Sequence, residues 1–169
     1  MRIFVVPFAV LALVACTHPD DAEPAAEESF PSLASDQSEP LLALVDNMLD
    51  TYFTSDVSTR PTICVSTHDG RSEVALPPEA ERELMTRYEG LAPLARCAWL
   101  DNGWQDSETG EPAMVFNVHN FTCTDESNCT AFGGFVDGNS SSLTYRYSMS
   151  YADGAWQFER DNQIIMDQE

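Results

Sequence analysis

His68 and His119 are the residues of the predicted domain whose chemistry best suits proton transfer. His68 lies in the turn sequence THDG, where hydrogen bonding to the loop is its expected role. The chain has no H-E-x-x-H, G-x-S-x-G, P-loop or G-x-G-x-x-G motif, and it contains no lysine. We therefore predict no catalytic residue, no cofactor and no enzymatic activity.

The cysteines are better suited to structure than to chemistry. Without Cys16, which belongs to the N-terminal segment, four remain, and four cysteines allow three pairings. Cys123 and Cys129 flank a short polar loop between two predicted strands, so we expect them to pair across a hairpin, leaving Cys64 for Cys97. No C-x-x-C occurs, and neither His68 nor His119 has metal-ligand spacing from a cysteine, so no metal site is predicted.

One candidate ligand pocket follows from this pairing. In the register set by the second disulfide, His119 would lie opposite Gly133, where a side chain is missing. Together with Trp104, from an acidic loop, these residues are the predicted pocket. The alternative, which we favour, is a β-bulge at Gly133–Gly134.

The first sixteen residues have the pattern of an export signal. Met1 and Arg2 precede thirteen uncharged residues, Ile3 to Ala15, which are too few to span a bilayer that needs about 20. The sequence Leu13-Val14-Ala15-Cys16 resembles the lipobox of bacterial lipoproteins. That resemblance implies removal of residues 1–15, a diacylglyceryl group and a further acyl chain on Cys16, and a membrane anchor in the bacterial cell envelope, on the periplasmic side of the outer membrane.

Composition limits the classes of partner. The chain has eight basic and twenty-eight acidic residues, a formal charge of −20. Such a charge disfavours nucleic acid and anionic lipid headgroups, because it repels phosphates. We therefore expect contact with the membrane through acyl chains alone and, if the partner is a protein, a cationic one.

Residues 16–40 are predicted to be a lipidated, disordered tether. Between Thr17 and Pro40 there are seven acids, four prolines and no lysine or arginine, and the large apolar residues are only Phe30 and Leu33. Too little apolar area is available to offset the entropy lost on ordering. Residues 41–169 have the size of a single domain.

The domain begins with helical patterns and ends with strands. Leu41, Val45, Met48 and Tyr52 form one helical stripe, with Ser38 as the predicted N-cap. A second helix is expected within PPEAERELMTRYEG, beginning near Pro78, and TICVST between the two helices reads as a strand. AMVFNVHNF and TAFGGFVDG supply two further strands.

The C-terminal region predicts a β-hairpin with a defined register. SLTYRYSMSY alternates apolar and polar residues, and AWQFER follows after Asp153-Gly154, a strong two-residue turn signal. With Asp153 and Gly154 as the two turn residues, the residue numbers of each opposed pair add up to 307, so that Tyr151 faces Trp156. In the same register Arg146 faces Asp161 on the polar side.

The expected fold is α+β, with two helices on one face of a curved antiparallel sheet of about four to six strands. This order of elements and the final hairpin resemble small exported domains of the nuclear-transport-factor-like or cystatin-like type. The resemblance implies a conical pocket between helix and sheet, and its catalytic Asp/His pairs have no counterpart at matching positions here.

Three functions follow, in order of preference. The first is a non-enzymatic envelope lipoprotein that binds a protein or a small ligand. The second is an acidic inhibitor or receptor of a cationic protein, since the chain resembles lysozyme-inhibitor lipoproteins in size, export and disulfides. The third is a nuclear-transport-factor-like pocket enzyme.

Replacing the predicted anchor residue tests the assignment of the N-terminus. Cys16→Ser should leave an unprocessed or soluble protein, because no other acyl chain would hold it on the membrane. Phase partitioning in detergent and the mass of the mature protein measure this. A variant that partitions like the wild type would contradict the lipobox assignment.

Overall fold

The structure is a computed structural model of the chain, and it describes residues 32–100, 103–138 and 141–161. Cys16 and the predicted signal peptide lie outside these ranges. The elements confirm an α+β architecture. The helices are α1 (Pro40–Phe53) and α2 (Pro78–Arg87), with 3₁₀ turns at Leu33–Ser35 and Leu94–Arg96. The strands are β1 (Thr62–His68), β2 (Glu73–Val74), β3 (Cys97–Leu100), β4 (Gly103–Asp106), β5 (Ala113–Asp125), β6 (Asn128–Asp137), β7 (Ser142–Ala152) and β8 (Ala155–Arg160).

Six of the described strands form one sheet in the order β2-β1-β5-β6-β7-β8, and β3 pairs with β4 in a separate ribbon. The expectation of a wholly antiparallel sheet is wrong at one pair, because β1 and β5 run parallel. A parallel pair needs a long crossover. The chain provides one between these strands, since it passes through β2, α2 and the ribbon before β5 begins.

Helix α1 forms where its apolar spacing predicts, and it buries Leu42, Val45, Met48 and Leu49. Its predicted N-cap is wrong. The Ser38 hydroxyl donates to a carboxylate oxygen two residues earlier at 2.6 Å, and the helix starts at a proline with no side-chain cap. A proline at the first position removes one of the N–H groups at the start of the helix that would need an acceptor.

The domain begins earlier in the chain than the boundary at residue 41. Leu33, assigned from composition to the tether, is 7% exposed in the main core. The indole N–H of Trp156 donates to the carbonyl of Asp36 at 3.0 Å, and the Tyr151 hydroxyl donates to the carbonyl of Ser35 at 3.0 Å. This segment is ordered despite its acidic, proline-rich composition. One buried leucine and the hydrogen bonds from the Trp156 and Tyr151 side chains to its backbone carbonyls stabilise it.

The β7–β8 hairpin has the predicted register. Tyr151 pairs with Trp156, and the backbone N–H of Asp161 donates to the carbonyl of Arg146 at 2.9 Å, which extends the same register. Asp153 has φ +56°, and the glycine after it has φ +81°, the two positive values that a type I′ turn requires. The hairpin face that carries Tyr147, Met149 and Trp156 is buried.

Both expected cysteine pairs are bonded in the structure, so the presence of disulfides is confirmed. Cys64 and Cys97 have an S–S distance of 1.97 Å, and Cys123 and Cys129 one of 2.00 Å. The first bond joins β1 to the ribbon, and its sulfurs lie in a small second core with Val115.

A buried carboxylate fixes the ribbon to the sheet. Asp106 is 1% exposed and accepts hydrogen bonds from the Arg96 guanidinium at 2.7 and 2.9 Å and from the Thr62 hydroxyl at 2.7 Å. These donors, the Arg96 guanidinium foremost, hold the pKa of Asp106 well below its usual range. The ionised form is therefore the one that holds β4 against β1.

Truncation of the buried indole tests the hairpin. Trp156→Ala should lower the free energy of unfolding by about 3–5 kcal/mol, since it removes a 2% exposed aromatic side chain and leaves the Asp36 carbonyl without its donor. Gln157→Ala, exposed on the opposite face of the same strand, should change it by less than about 0.5 kcal/mol. Denaturant midpoints that coincide for the two variants would contradict the register.

Acid titration tests the buried carboxylate. A lowered native pKa means that Asp106 stabilises the fold above its unfolded pKa of about 3.9, and that this stabilisation is lost as the pH falls towards the native value. Asp106→Asn should therefore lower Tm most at pH 7, and the difference from wild type should shrink between about pH 4 and pH 2. The exposed substitution Glu126→Gln is the control. A Tm difference between Asp106→Asn and wild type that stays constant with pH would show that the charge of Asp106 does not stabilise the fold.

Candidate functional site

The predicted pocket residues do not line one cavity. The expected pairing of His119 with Gly133 is wrong, because His119 pairs with Phe132 and its ring stacks on that side chain, with 5.3 Å between the ring centroids. A bulge between His119 and Thr122 shifts the register, at Asn120 with φ +52°. The bulge lies on β5, not at Gly133–Gly134, and a one-residue slip places His119 and Gly133 on opposite faces of the sheet.

The other residues selected from the sequence have structural roles. Trp104 packs edge-on against Trp99 at 5.6 Å between centroids and contacts the small core around the Cys64–Cys97 bond. The Nδ1 atom of His68 accepts a hydrogen bond from the backbone N–H of Gly70 at 2.9 Å, the loop role expected for it.

An apolar cleft lies between the C-terminal half of α1 and the sheet. Its volume is about 190 Å³. Helix α1 and the turn after it contribute one wall, and strands β5 to β8 contribute the other. The lining residues are Met48, Thr51, Tyr52, Ser55, Phe116, Gly134, Phe135, Leu143, Tyr145, Tyr147 and Arg160.

Two adjacent glycines in β6 allow the walls of this cleft to form. A Cβ atom on Gly133 would lie 2.7 Å from the sulfur of Met48 and 3.3 Å from the ring of Tyr147. A Cβ on Gly134 would lie 1.8 Å from the carbonyl oxygen of Leu143, so β7 can approach here only because the side chain is absent. The double glycine inside an apolar strand was one sequence signal for the site.

Aromatic rings give the cleft its shape. Tyr52 and Phe116 pack edge to face with centroids 5.3 Å apart, and Phe116 is 5.6 Å from Phe135. Burial raises the pKa of Tyr52 and of Tyr147, so both phenols are neutral at physiological pH. The walls therefore offer apolar surface and hydroxyl groups.

Arginine is the charged residue of the lining. The Arg160 guanidinium lies 4.4 Å from the centroid of the Tyr145 ring, a cation–π distance. Arg60 stands over Tyr52 at 5.8 Å and donates to the carbonyl of Phe53 at 2.8 Å. Among the described residues that line the cleft there is no aspartate, glutamate or histidine. A positive rim on an otherwise strongly acidic chain favours an anion.

The sequence pattern pointed only indirectly to these residues. Arg160 was placed by the hairpin register on the aromatic face, opposite Tyr147, and the structure has this pairing. A single cation on an apolar face is the second signal that the sequence offered. Met48 and Phe135 carried no such signal, because they read as ordinary core residues.

Comparisons with known proteins give no guide to this cleft. No protein-family model, curated protein or solved structure matches the chain. In the described ranges no group of three or more His, Cys, Asp or Glu side chains is arranged to hold a metal ion. No helix in those ranges is long and apolar enough to cross a membrane.

Proposed function

We propose that this chain is a non-enzymatic, lipid-anchored binding protein of the bacterial cell envelope, and that its cleft takes a small amphiphile with an apolar body and an anionic end. The observation that carries the proposal is the pairing of an aromatic-lined cleft with Arg160 at its edge. Because a chain of net charge −20 has few cations, an arginine at the edge of an apolar cleft would favour an anionic ligand over a cationic one.

We infer that both helices cover the same face of the six-stranded sheet. Leu84 of α2 is fully buried in the core that contains Leu44 and Leu49 of α1, and the same core includes Ile63 and Val65 of β1. The cleft is then the unfilled end of this helix layer. Such a pocket is also what the resemblance to nuclear-transport-factor-like domains implies.

The size of the cleft limits the ligand. A cavity of about 150 Å³ lined by apolar residues admits benzene, whereas pockets for drug-sized molecules begin at about 300 Å³. At about 190 Å³, the cleft suits one aromatic ring or a short alkyl chain. A nucleotide or a folded protein segment would not fit inside it.

The charge of the cleft selects the polar end of that ligand. Arg160 is exposed, and its guanidinium can reach an anion at the cleft edge while its face stays on the ring of Tyr145. Guanidinium groups favour carboxylates and phosphates because they present paired N–H donors. No carboxylate is among the described residues that line the cleft, whereas Glu159 and Asp161 line a separate surface depression together with Arg160.

The position of the N-terminal segment supports a cleft that faces away from the membrane. Residues 32–36 lie against Tyr151 and Trp156, whereas the cleft lies at Leu143 and Arg160, at the other end of the same strands. Eight residues of strand separate Tyr151 from Leu143, about 26 Å. The fifteen residues between Cys16 and Ser32 span at most about 50 Å, so the domain would stay close to the membrane.

Three matched octyl amphiphiles test this proposal by titration calorimetry. Octanoate should bind more tightly than octanol, and octylammonium least, because only octanoate complements Arg160. Arg160→Gln should weaken octanoate binding about fivefold, since an exposed ion pair contributes up to about 1 kcal/mol, and should leave octanol unchanged.

Two variants serve as controls for this titration. Arg71→Gln removes an exposed arginine from the β1–β2 turn and should leave all three affinities unchanged. Thr51→Trp fills the cleft from the helix side and should abolish binding of all three amphiphiles. Equal affinities for octanoate and octylammonium, or an Arg71→Gln effect as large as that of Arg160→Gln, would refute the proposed charge selectivity.

A further inference from the structure

A second, more polar groove lies between α1 and β8, beside the apolar cleft. Its volume is about 410 Å³, and it is lined by Asn47 and Thr51 of the helix and by residues 156–158 of the strand. Thr51, Tyr147 and Arg160 line both the groove and the cleft. Because they share three lining residues, the groove opens into the cleft.

Strand β8 is an edge strand, and its free backbone groups can be assigned from the register. The backbone N–H of Asp161 donates to the carbonyl of Arg146, and the same ladder continues to the start of β8. Every second residue bonds to the same neighbour in an antiparallel pair, so residues 157 and 159 bond to β7 as Asp161 does. Phe158 and Arg160 therefore direct their N–H and C=O groups to the outer edge, where no strand of the described ranges pairs with them.

The free edge and the cleft lie on the same side of the molecule. The Phe158 side chain packs against the main core under α1, and the Arg160 side chain lines the cleft. A simple amphiphile could fill the cleft but has no backbone groups for the edge. An extended peptide has both, since it can add a strand through its N–H and C=O groups and place a side chain in a pocket.

Charge fixes the direction of such a peptide. Arg160 is the last residue of β8, and it is the one charged side chain among the described residues that line the groove or the cleft. A free α-carboxylate is the anionic group that every peptide carries at its C-terminus. With that carboxylate at Arg160 and the preceding residues in the groove, the peptide runs parallel to β8.

We propose that the groove and the cleft together bind the C-terminal segment of a partner polypeptide, as a strand added to the edge of β8. The apolar side chain of the last residue enters the cleft, and its carboxylate meets the Arg160 guanidinium. This inference rests on the proposed function, because the last residue of the peptide is itself an amphiphile with an apolar body and an anionic end.

The parallel register assigns a role to each amide of the peptide. In a parallel pair, a residue bonds to the two residues on either side of the one opposite it. With the last residue opposite Arg160, the penultimate N–H donates to the carbonyl of Phe158. The N–H of the last residue points away from β8, because its side chain faces the cleft on the same side as that of Arg160.

Titration calorimetry of the full chain with synthetic peptides tests the added strand. The reference probe acetyl-Ala-Thr-Ala-Thr-Phe, with a free carboxylate, should bind about tenfold more tightly than acetylphenylalanine, which has the ring and the carboxylate but no strand. N-methylation of the penultimate residue should weaken binding about tenfold, because it removes the donor to Phe158 and places a methyl group against β8. N-methylation of the last residue is the matched control and should change the affinity less than about twofold.

Two further measurements locate the peptide. Arg160→Gln should weaken the reference peptide about fivefold and should not affect the same peptide with a C-terminal amide. In hydrogen exchange followed by NMR, the Phe158 amide should exchange rapidly in the free protein. It should exchange about tenfold more slowly with the peptide bound, because it then donates to a peptide carbonyl.

Other results overturn the inference. Equal affinities for the reference peptide and acetylphenylalanine show that no strand is added, and octanoate binding then still supports the proposed function. Equal effects of the two N-methyl groups exclude the parallel register. A Phe158 amide protected without peptide shows that the edge is already occupied, by a second copy if dilution removes the protection and by the chain itself if it does not. Failure of octanoate to bind, with peptide binding unaffected by Arg160→Gln, refutes the proposed function and the carboxylate contact, but not the added strand.

Discussion

The absence of side chains at Gly133 and Gly134 is the constraint on which the helix–sheet arrangement and the cleft depend. A Cβ at Gly133 would collide with the sulfur of Met48, and one at Gly134 with the carbonyl oxygen of Leu143. A larger residue at Gly134 would push β7 away from β6, and one at Gly133 would displace the Met48 side chain. Close packing on both sides of this point leaves the cleft just beyond it, where α1 ends.

Different interactions stabilise the region near the N-terminus of α1 and the β3–β4 ribbon. Near the N-terminus of α1, the fold relies on buried apolar residues such as Trp156 and on donors to the carbonyls of the first ordered residues. The β3–β4 ribbon relies on the Cys64–Cys97 bond and on the ionised Asp106. The disulfide and the buried carboxylate together attach the ribbon to the sheet, because the ribbon itself buries few apolar side chains.

Local patterns predicted the local structure well. Strict alternation and the Asp-Gly turn defined the register of Tyr151 with Trp156, because strand period and turn geometry are both encoded within a few residues. The bulge at Asn120 could not be predicted in this way. A single residue with positive φ shifts every pairing beyond it, and so the position expected for His119 was wrong. Parallel pairing of β1 with β5 was missed because it depends on contacts far apart in the chain.

The cleft could not be predicted because its residues come from five elements. Only Gly134 and Arg160 departed from what an apolar face normally carries, and neither indicates which other residues surround it. The charge of the whole chain pointed towards a cationic partner. The cleft has a local cation among aromatic rings, and this arrangement is the basis on which we propose an anionic amphiphile as its ligand.

Methyl NMR of the methionines locates the ligand directly. Met48 lines the cleft, whereas Met85, Met114 and Met149 do not, so one labelled sample contains the reporter and its internal references. On titration with octanoate, binding in the cleft predicts a saturable shift of the Met48 methyl resonance with little change at Met85, Met114 and Met149. A comparable shift at all four of these methyl groups, or a shift at Met114 or Met149 without one at Met48, would contradict binding in the cleft.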